Sequence, residues 1–133
     1  MGWQSRSSSL FRGCKCQTTV LKHEGVVAIV SQGDTAHVVN SWNSYLTVTK
    51  DGHLLIPAGR MKQTEENVKM NPQVLLTAGS RDIPGFHSMG TGFLVEGTAV
   101  FLDEGPDFEV TKERFPWIRA VLKITPLTVN QTL

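Results

Sequence analysis

The chain has 133 residues, of which 40% are hydrophobic and 19% charged, and its formal net charge is +1. This length is sufficient for one domain with its own core, so that neither a disulfide nor a metal is needed for folding. The small net charge leaves no broad basic field, which argues against nucleic acid as a partner. No apolar run approaches the ~20 residues of a membrane-spanning helix, so a membrane is not a predicted partner either.

The first sixteen residues, 1–16, are predicted to form an irregular extension before a single domain at 17–133. They have no apolar central region of the secretory type, so the cytoplasm is the simplest location. Both cysteines, Cys14 and Cys16, lie in this extension. Two ligands are too few for a structural zinc site, and a disulfide across one residue would be strained, so free thiols are favoured. A redox role stays open because Lys15 favours the thiolate.

In chain order, the domain begins with a short predicted helix at 18–25. A run of β-branched residues at 26–32 predicts a buried strand, and a polar turn joins it to a second strand at 36–49. The pair Asp51-Gly52 predicts a tight turn into a third strand at 53–57. Hairpins of this kind imply antiparallel pairing.

The second half of the chain is also predicted to combine short helices with strands. A helix is predicted to begin at Thr64, with Asn67 in a capping arrangement, and a further helix at Pro106. The stretch 79–90 is predicted to be a long polar loop, and Gly97 to mark a bulge. The remaining strands are expected at 73–78, 91–101 and 119–125. Six antiparallel strands of this length suit a small closed barrel, which is mainly β with short helices.

The second predicted strand begins with apolar residues and then becomes polar and aromatic. Residues 40–45 hold two Asn, two Ser, Trp42 and Tyr45. A strand that served a core alone would keep β-branched or aliphatic residues there. Amides and hydroxyls beside large flat rings suit a flat, heteroatom-rich ligand. The alternative is that Trp42 and Tyr45 are ordinary core aromatics with local hydrogen-bond partners.

A candidate anion site follows the third strand, where Gly59 to Thr64 run into a predicted helix start. Backbone amides, the helix dipole, the Thr64 hydroxyl and the cations Arg60 and Lys62 would converge there, as in a phosphate cradle. The alternative is a capped helix with basic residues in water. Taken with the polar aromatic strand, this site predicts a ring-bearing phosphorylated ligand, such as flavin mononucleotide (FMN).

Residues suited to catalysis are scarce in this sequence. The four histidines, at positions 23, 37, 53 and 87, lack metal-ligand spacing, and no pair of carboxylates or nucleophile motif stands out. We therefore predict neither a catalytic residue nor a metal site.

Several segments together resemble the FMN-binding split-barrel family that is related to pyridoxamine 5′-phosphate oxidase. They resemble most closely the small dimeric FMN-binding proteins of sulfate-reducing bacteria. The similarity extends from about residue 18 to the end of the chain. The segments that carry it are Glu24–Ile29, Ala36–Leu46, Thr64–Val68, Asn71–Val74, Gly79–Arg81, Gly90–Leu94 and Gln131–Leu133. The resemblance implies a six-stranded antiparallel Greek-key split barrel, and one FMN per subunit near a homodimer interface.

The resemblance also implies roles for individual residues. It places Trp42 beside the isoalloxazine ring, the backbone from Pro57 to Gly59 at the pyrimidine edge, and Glu24 as a negative charge near the site. Leu133 would reach the flavin of the partner subunit. The cofactor-binding set that it implies is Asn40, Ser41, Trp42, Asn43, Tyr45, Pro57, Ala58, Gly59, Lys62, Gln63, Thr64, Trp117 and Leu133. Gln63 departs from the family, which usually has a cation there, so that Lys62 or Arg60 would have to compensate.

Three functions are compatible with the sequence. The leading one is noncovalent FMN binding with electron transfer between unidentified redox proteins, because side chains for substrate chemistry are lacking. The second is a flavin-dependent oxidoreductase, either a flavin reductase or a small oxidase of the pyridoxamine 5′-phosphate oxidase-like type. The third, a cofactor-free interaction module, fits the sequence least well.

Overall fold

The structure is a computed structural model that describes residues 19–133. The predicted extension at 1–16, with Cys14 and Cys16, therefore lies outside the described residues, as does the start of the first predicted helix. Residues 19–21 are helical, so this helix ends four residues before its predicted end at Gly25. No helix within residues 19–133 is long and apolar enough to cross a membrane.

The described part of the chain is mainly β, with short helices. The α-helices are α1 (Lys62–Met70) and α2 (Pro106–Arg114), and a 3-10 helix spans Asn43–Tyr45. The strands are β1 (Val26–Gln32), β2 (Ala36–Trp42), β3 (Thr47–Val48), β4 (Leu54–Ala58), β5 (Gln73–Pro84), β6 (Met89–Leu102) and β7 (Ala120–Gln131).

The strands form one antiparallel sheet in the order β2-β1-β5-β6-β7-β4-β3. The order β4-β7-β6-β5 within it is a Greek key. The two edge strands are consecutive in the chain, and five residue steps join Trp42 to Thr47. A flat sheet of seven strands would separate its edges by about 29 Å, whereas five steps reach about 18 Å at most. The sheet must therefore curl into a barrel, as the sequence predicted.

Two predictions about the strands were wrong. The predicted strand at 36–49 is divided by the 3-10 helix at Asn43–Tyr45, which gives seven strands instead of six. The predicted loop at 79–90 is mostly strand, because Gly79 pairs with Gly92 and Ser80 with Thr91. Glycine and polar residues have low β-propensity, and here the pairing with β6 overrides that local preference.

The sheet register confirms the predicted bulge at Gly97 but extends the last strand beyond its predicted end. The β6–β7 register shifts between Glu96 and Gly97, where Gly97 faces Pro126. A Cβ on Gly97 would lie 2.4 Å from the carbonyl oxygen of Thr125, so this close approach requires glycine. Beyond the shift, β7 continues to Gln131.

The core lies inside the barrel, where side chains such as Ile29, Ile56 and Leu122 are fully buried. Helix α1 is docked against this core through buried Val68 and Asn67. The Asn67 amide nitrogen donates to the Ser31 hydroxyl on β1 at 3.1 Å. This docking fixes the N-terminus of α1 beside the end of β4.

Candidate functional site

A cavity of about 490 Å³, which we call the aromatic cavity, opens between the end of β2, the end of β4 and the segment that follows α2. Its volume is within the range of roughly 300–1,000 Å³ that is typical of small-molecule sites. The lining residues are Val39, Asn40, Ser41, Trp42, Tyr45, Pro57, Gly59, Arg60, Met61 and Trp117. The fold thus brings together residues from three separate parts of the chain that the sequence assigned to one site.

Aromatic side chains form the walls of this cavity. The Tyr45 ring lies 4.9 Å from Phe115 and 6.1 Å from Trp117, and Phe115 lies 5.8 Å from Trp117, measured between ring centroids. These tilted and edge-on contacts are the favourable arrangements for aromatic pairs. Trp42 and Trp117 remain about half exposed, at 46% and 54%. Two large rings therefore present open surface to a ligand, which an ordinary core aromatic would not.

At the end of β4, the backbone lies very close to the ring of Trp117. The Ala58 carbonyl accepts a hydrogen bond from the Arg119 amide at 3.0 Å, and Ala58 itself is fully buried behind the lining residues. A Cβ added to Gly59 would lie 3.2 Å from two atoms of the Trp117 ring. Glycine at this position keeps the wall thin where it meets Trp117.

Helix α1 starts next to this wall with an uncapped N-terminus. Met61 is the N-cap residue and has the left-handed conformation φ 63°, ψ 34°, without a side-chain cap hydrogen bond. The first intrahelical bond runs from the Glu65 amide to the Met61 carbonyl at 2.9 Å. The amides of Lys62, Gln63 and Thr64 therefore have no partner within the helix. Three amides at the positive end of a helix dipole form a suitable anion site.

The predicted role of Thr64 as a cap was wrong. Because the helix begins at Lys62, Thr64 is in its first turn, where it is fully buried. Its hydroxyl oxygen has no hydrogen-bond partner among the described residues. An unpartnered buried hydroxyl costs about 1–3 kcal/mol, so its presence needs an explanation other than stability.

The polar side chains of Lys62 and Gln63, at the start of α1, differ in which groups they leave free to bind a ligand. Lys62 and Gln63 are exposed. The Gln63 amide nitrogen donates to Asn67 Oδ1 at 2.9 Å, which leaves its own oxygen as the free group. Lys62 and Arg60 are therefore the cations nearest in sequence to the open amides, and Arg60 also lines the aromatic cavity.

Asn43 does not line the aromatic cavity. Its side chain is fully buried, and its amide nitrogen donates to the carbonyls of Val20, His23 and Gly79 at 3.1, 2.8 and 2.9 Å. These bonds tie the 3-10 helix to the first helical residues and to β5. The structure thus gives Asn43 a structural position instead of a place at the ring edge.

Leu133 lies in a different cavity, of about 590 Å³, together with Glu24, Val26 and Arg81. Its carbonyl oxygen accepts hydrogen bonds from Thr91 Oγ1 and Gln131 Nε2. Within one chain, neither Leu133 nor Glu24 belongs to the aromatic cavity.

Sequence reasoning missed Val39 and Met61 as lining residues, and Phe115 as the ring behind Tyr45. Met61 could not be found from local signals, because left-handed N-cap positions normally carry glycine or asparagine. Among the described residues that line the cavity, Tyr45 and Arg60 are the only ionisable ones. Residues 19–133 also hold no group of three His, Cys, Asp or Glu side chains that could bind a metal.

The family model of pyridoxamine 5′-phosphate oxidase matches residues 17–132. The FMN-binding protein of Nitratidesulfovibrio vulgaris (strain DSM 19637 / Miyazaki F) is 50% identical over 115 residues, which cover 86% of this chain and 93% of that protein.

Solved structures share the fold at lower identity. A HupZ variant from Group A Streptococcus has a TM-score of 0.74 at 14% identity, covering 90% of this chain and 98% of its own. An FMN-binding protein from Syntrophomonas wolfei subsp. wolfei has a TM-score of 0.64 at 15% identity, covering 80% and 76%. The sequence matches span nearly the whole domain, and the chain therefore belongs to the pyridoxamine 5′-phosphate oxidase family.

Proposed function

We propose that this protein binds FMN noncovalently in the aromatic cavity and transfers electrons between redox partners. The proposal rests on one observation. The uncapped start of α1 directly follows the loop that lines the aromatic cavity, and Trp42, Tyr45 and Trp117 form walls of that cavity. A flat ring with a phosphate would use both features at once. The N. vulgaris relative, which is half identical to this chain, is named an FMN-binding protein.

The residues present fit such a cofactor. Trp42, Tyr45 and Trp117 offer open ring surface for the isoalloxazine, and Asn40 and Ser41 offer polar groups at its edge. The amides of Lys62 to Thr64 would hold the phosphate, with Lys62 and Arg60 supplying positive charge in place of the usual cation at Gln63. The Thr64 hydroxyl would gain its missing partner there. Because Thr64 is fully covered, that contact requires the side chains over Thr64 to shift, while the backbone of the first turn of α1 stays in place.

The cavity favours an electron carrier over a substrate-specific oxidoreductase. FMN, when bound, supplies one- and two-electron chemistry, and the protein's own task is to bind, orient and shield it. The lining residues among those described include no His, Asp, Glu or Cys that could hold or remove a substrate proton. Turnover of NADH or a reduced substrate by the bound flavin would favour the alternative, a flavin reductase or small oxidase.

A homodimer is part of the proposal. Strands β1, β2 and β5 carry exposed apolar residues on the face opposite the core: Val26 at 52%, Val38 at 58%, Trp42 at 46% and Leu75 at 41%. The register places them on one face, because Val26 is opposite Trp42, and Val30 is opposite both Val38 and Leu75. We call this surface the apolar face. Asn40 and Thr77, which are exposed, lie between the two groups of apolar residues on this face. Several large apolar side chains exposed on one face of a sheet favour an interface between subunits.

Each cavity adjoins the apolar face at one residue. Trp42 belongs to the face and lines the aromatic cavity, and Val26 belongs to the face and lines the cavity that holds Leu133 and Glu24. A second copy packed on this face would bring the two kinds of cavity into proximity. This arrangement is consistent with Leu133 of the partner subunit reaching the flavin. The cytoplasmic location stays a prediction.

The test is an anaerobic optical titration of the purified protein with FMN. We expect the flavin absorption bands to shift on binding and to saturate at one FMN per chain. The bound flavin should be reduced reversibly by a chemical donor, and the protein should not consume NADH. A protein that takes up no FMN would contradict the proposed function. Steady substrate-dependent turnover would contradict the carrier role while leaving FMN binding intact.

A further inference from the structure

Arg119 contacts three points of the segment that joins the aromatic cavity to α1. Its amide donates to the Ala58 carbonyl at 3.0 Å, and its Nη2 donates to the Arg60 carbonyl at 2.6 Å. Its Nη1 forms an ion pair with Glu65 Oε1 at 2.9 Å. Arg119 itself does not line the cavity. It therefore acts on the site only through the residues that it holds.

The segment between these contacts includes the single non-glycine residue with positive φ among those described, Met61. A left-handed conformation is unfavourable for a residue with a long side chain and persists when its surroundings impose it. The Arg119 guanidinium fixes the carbonyl on one side of Met61, at Arg60, and the first helical turn on the other side, at Glu65. Met61 also packs against the core, so the loop is held from both sides.

The contribution of the Arg119 guanidinium to folding stability does not by itself explain why an arginine occupies this position. Its side chain is 31% exposed, and its partner Glu65 is 22% exposed, so solvent weakens the ion pair. Its Nε is buried and lacks a hydrogen-bond partner among the described residues, which is unfavourable. A long apolar side chain at this position would fill the same space without that cost.

We propose that Arg119 is a positioning residue that holds Met61 in its left-handed conformation and so aims the free amides of Lys62 to Thr64 at the cofactor's phosphate. This inference rests on the proposed function, because it assigns the phosphate to the start of α1. A rigid arrangement of donors lowers the cost of ordering them when the ligand binds.

The ion pair of Lys123 and Asp107 offers a matched control. Its N–O distance is 2.8 Å, its side chains are 26% and 30% exposed, and it links β7 to the first turn of α2. Neither residue lines the aromatic cavity or contacts the segment from Gly59 to Glu65. Because the two ion pairs have similar lengths and exposures, we expect removal of this pair to affect stability to a similar degree without acting on the start of α1.

The experiment compares wild type, Arg119→Met, Arg119→Lys and Lys123→Met by titration with FMN and with riboflavin, which lacks the phosphate. For Arg119→Met we expect FMN affinity to fall about tenfold, the factor for the loss of one backbone amide hydrogen bond to the charged phosphate, with a much smaller loss for riboflavin. Arg119→Lys should recover part of this difference, because it restores the charge but not the two-pronged geometry. Lys123→Met should leave the ratio of the two affinities unchanged.

A second measurement needs no flavin. In the flavin-free protein, the backbone chemical shifts of Met61 should move away from left-handed values in Arg119→Met and stay in place in Lys123→Met. Unchanged Met61 shifts together with an unchanged FMN-to-riboflavin ratio in Arg119→Met would overturn the inference. A wild-type protein that binds no flavin would instead contradict the proposed function, and the Met61 shifts would still decide whether Arg119 holds the loop.

Discussion

The side-chain amide of Asn43 donates to the carbonyl of Gly79, a residue 36 positions later in the chain, at 2.9 Å. Gly25 leaves room for this contact, because a Cβ there would lie 2.1 Å from the Gly79 oxygen and 2.7 Å from the Asn43 nitrogen. One side chain thus joins the 3-10 helix to β5 at the point where β2 leaves the sheet. This partly buried contact holds the end of β2, including Trp42, in place.

Asn43→Ala should lower the free energy of unfolding of the flavin-free protein by about 1–3 kcal/mol, because one buried and two partly buried carbonyls lose a donor. Urea denaturation measures this. Asn40→Ala is the control: Asn40 lines the cavity and makes one long 3.3 Å bond to the Val27 carbonyl, so it should reduce FMN affinity more than stability. If Asn43→Ala instead leaves stability unchanged and abolishes binding, the structural position assigned to Asn43 is incorrect.

Thr64→Val should affect stability and binding in opposite directions. The substitution removes a buried hydroxyl without a partner, so the flavin-free protein should unfold at the same or a higher urea concentration. FMN affinity should fall about tenfold, since one donor to a charged phosphate is lost, while riboflavin affinity should stay nearly constant. Thr64→Ser, which keeps the hydroxyl, is the control. Equal losses for FMN and riboflavin would argue against a phosphate at this helix start.

Trp42 should quench the fluorescence of bound FMN, because an indole in contact with an excited flavin transfers an electron to it. We expect Trp42→Phe to raise the fluorescence of the saturated complex several-fold. Trp117→Phe is the matched comparison, since Trp117 lines the same cavity and is exposed to a similar degree. Fluorescence that responds to neither substitution would place the flavin elsewhere.

Val38→Asp should convert a dimer into monomers. Val38 is 58% exposed on the apolar face, and a carboxylate there would have to lose its hydration when two copies associate. Val110→Asp on α2 is the control, because Val110 is 47% exposed but lies off that face. Light scattering after size-exclusion chromatography measures the mass of each variant. A wild-type protein that is monomeric at micromolar concentration would contradict the homodimer.

The sequence by itself determined the class of fold and, to within two residues, where most elements begin. The β-branched run of β1 and the Asp51-Gly52 turn are local signals, and each acts through neighbouring residues in the chain. The polar aromatic composition of residues 40–45 indicated a site for the same reason, because it departs from what a strand in a core needs. The family resemblance was confirmed by the match over residues 17–132.

The tertiary structure decided what no local signal carries. Gly79 to Pro84 form strand because β6 pairs with them, and the Asn43 amide finds its three carbonyl partners on two segments that are distant in sequence. The left-handed Met61 and the guanidinium of Arg119 become related only when β7 lies beside β4. Pairing between strands distant in sequence sets these contacts. The sequence could therefore predict an anion site at the start of α1, but it could not place Arg119 against that start.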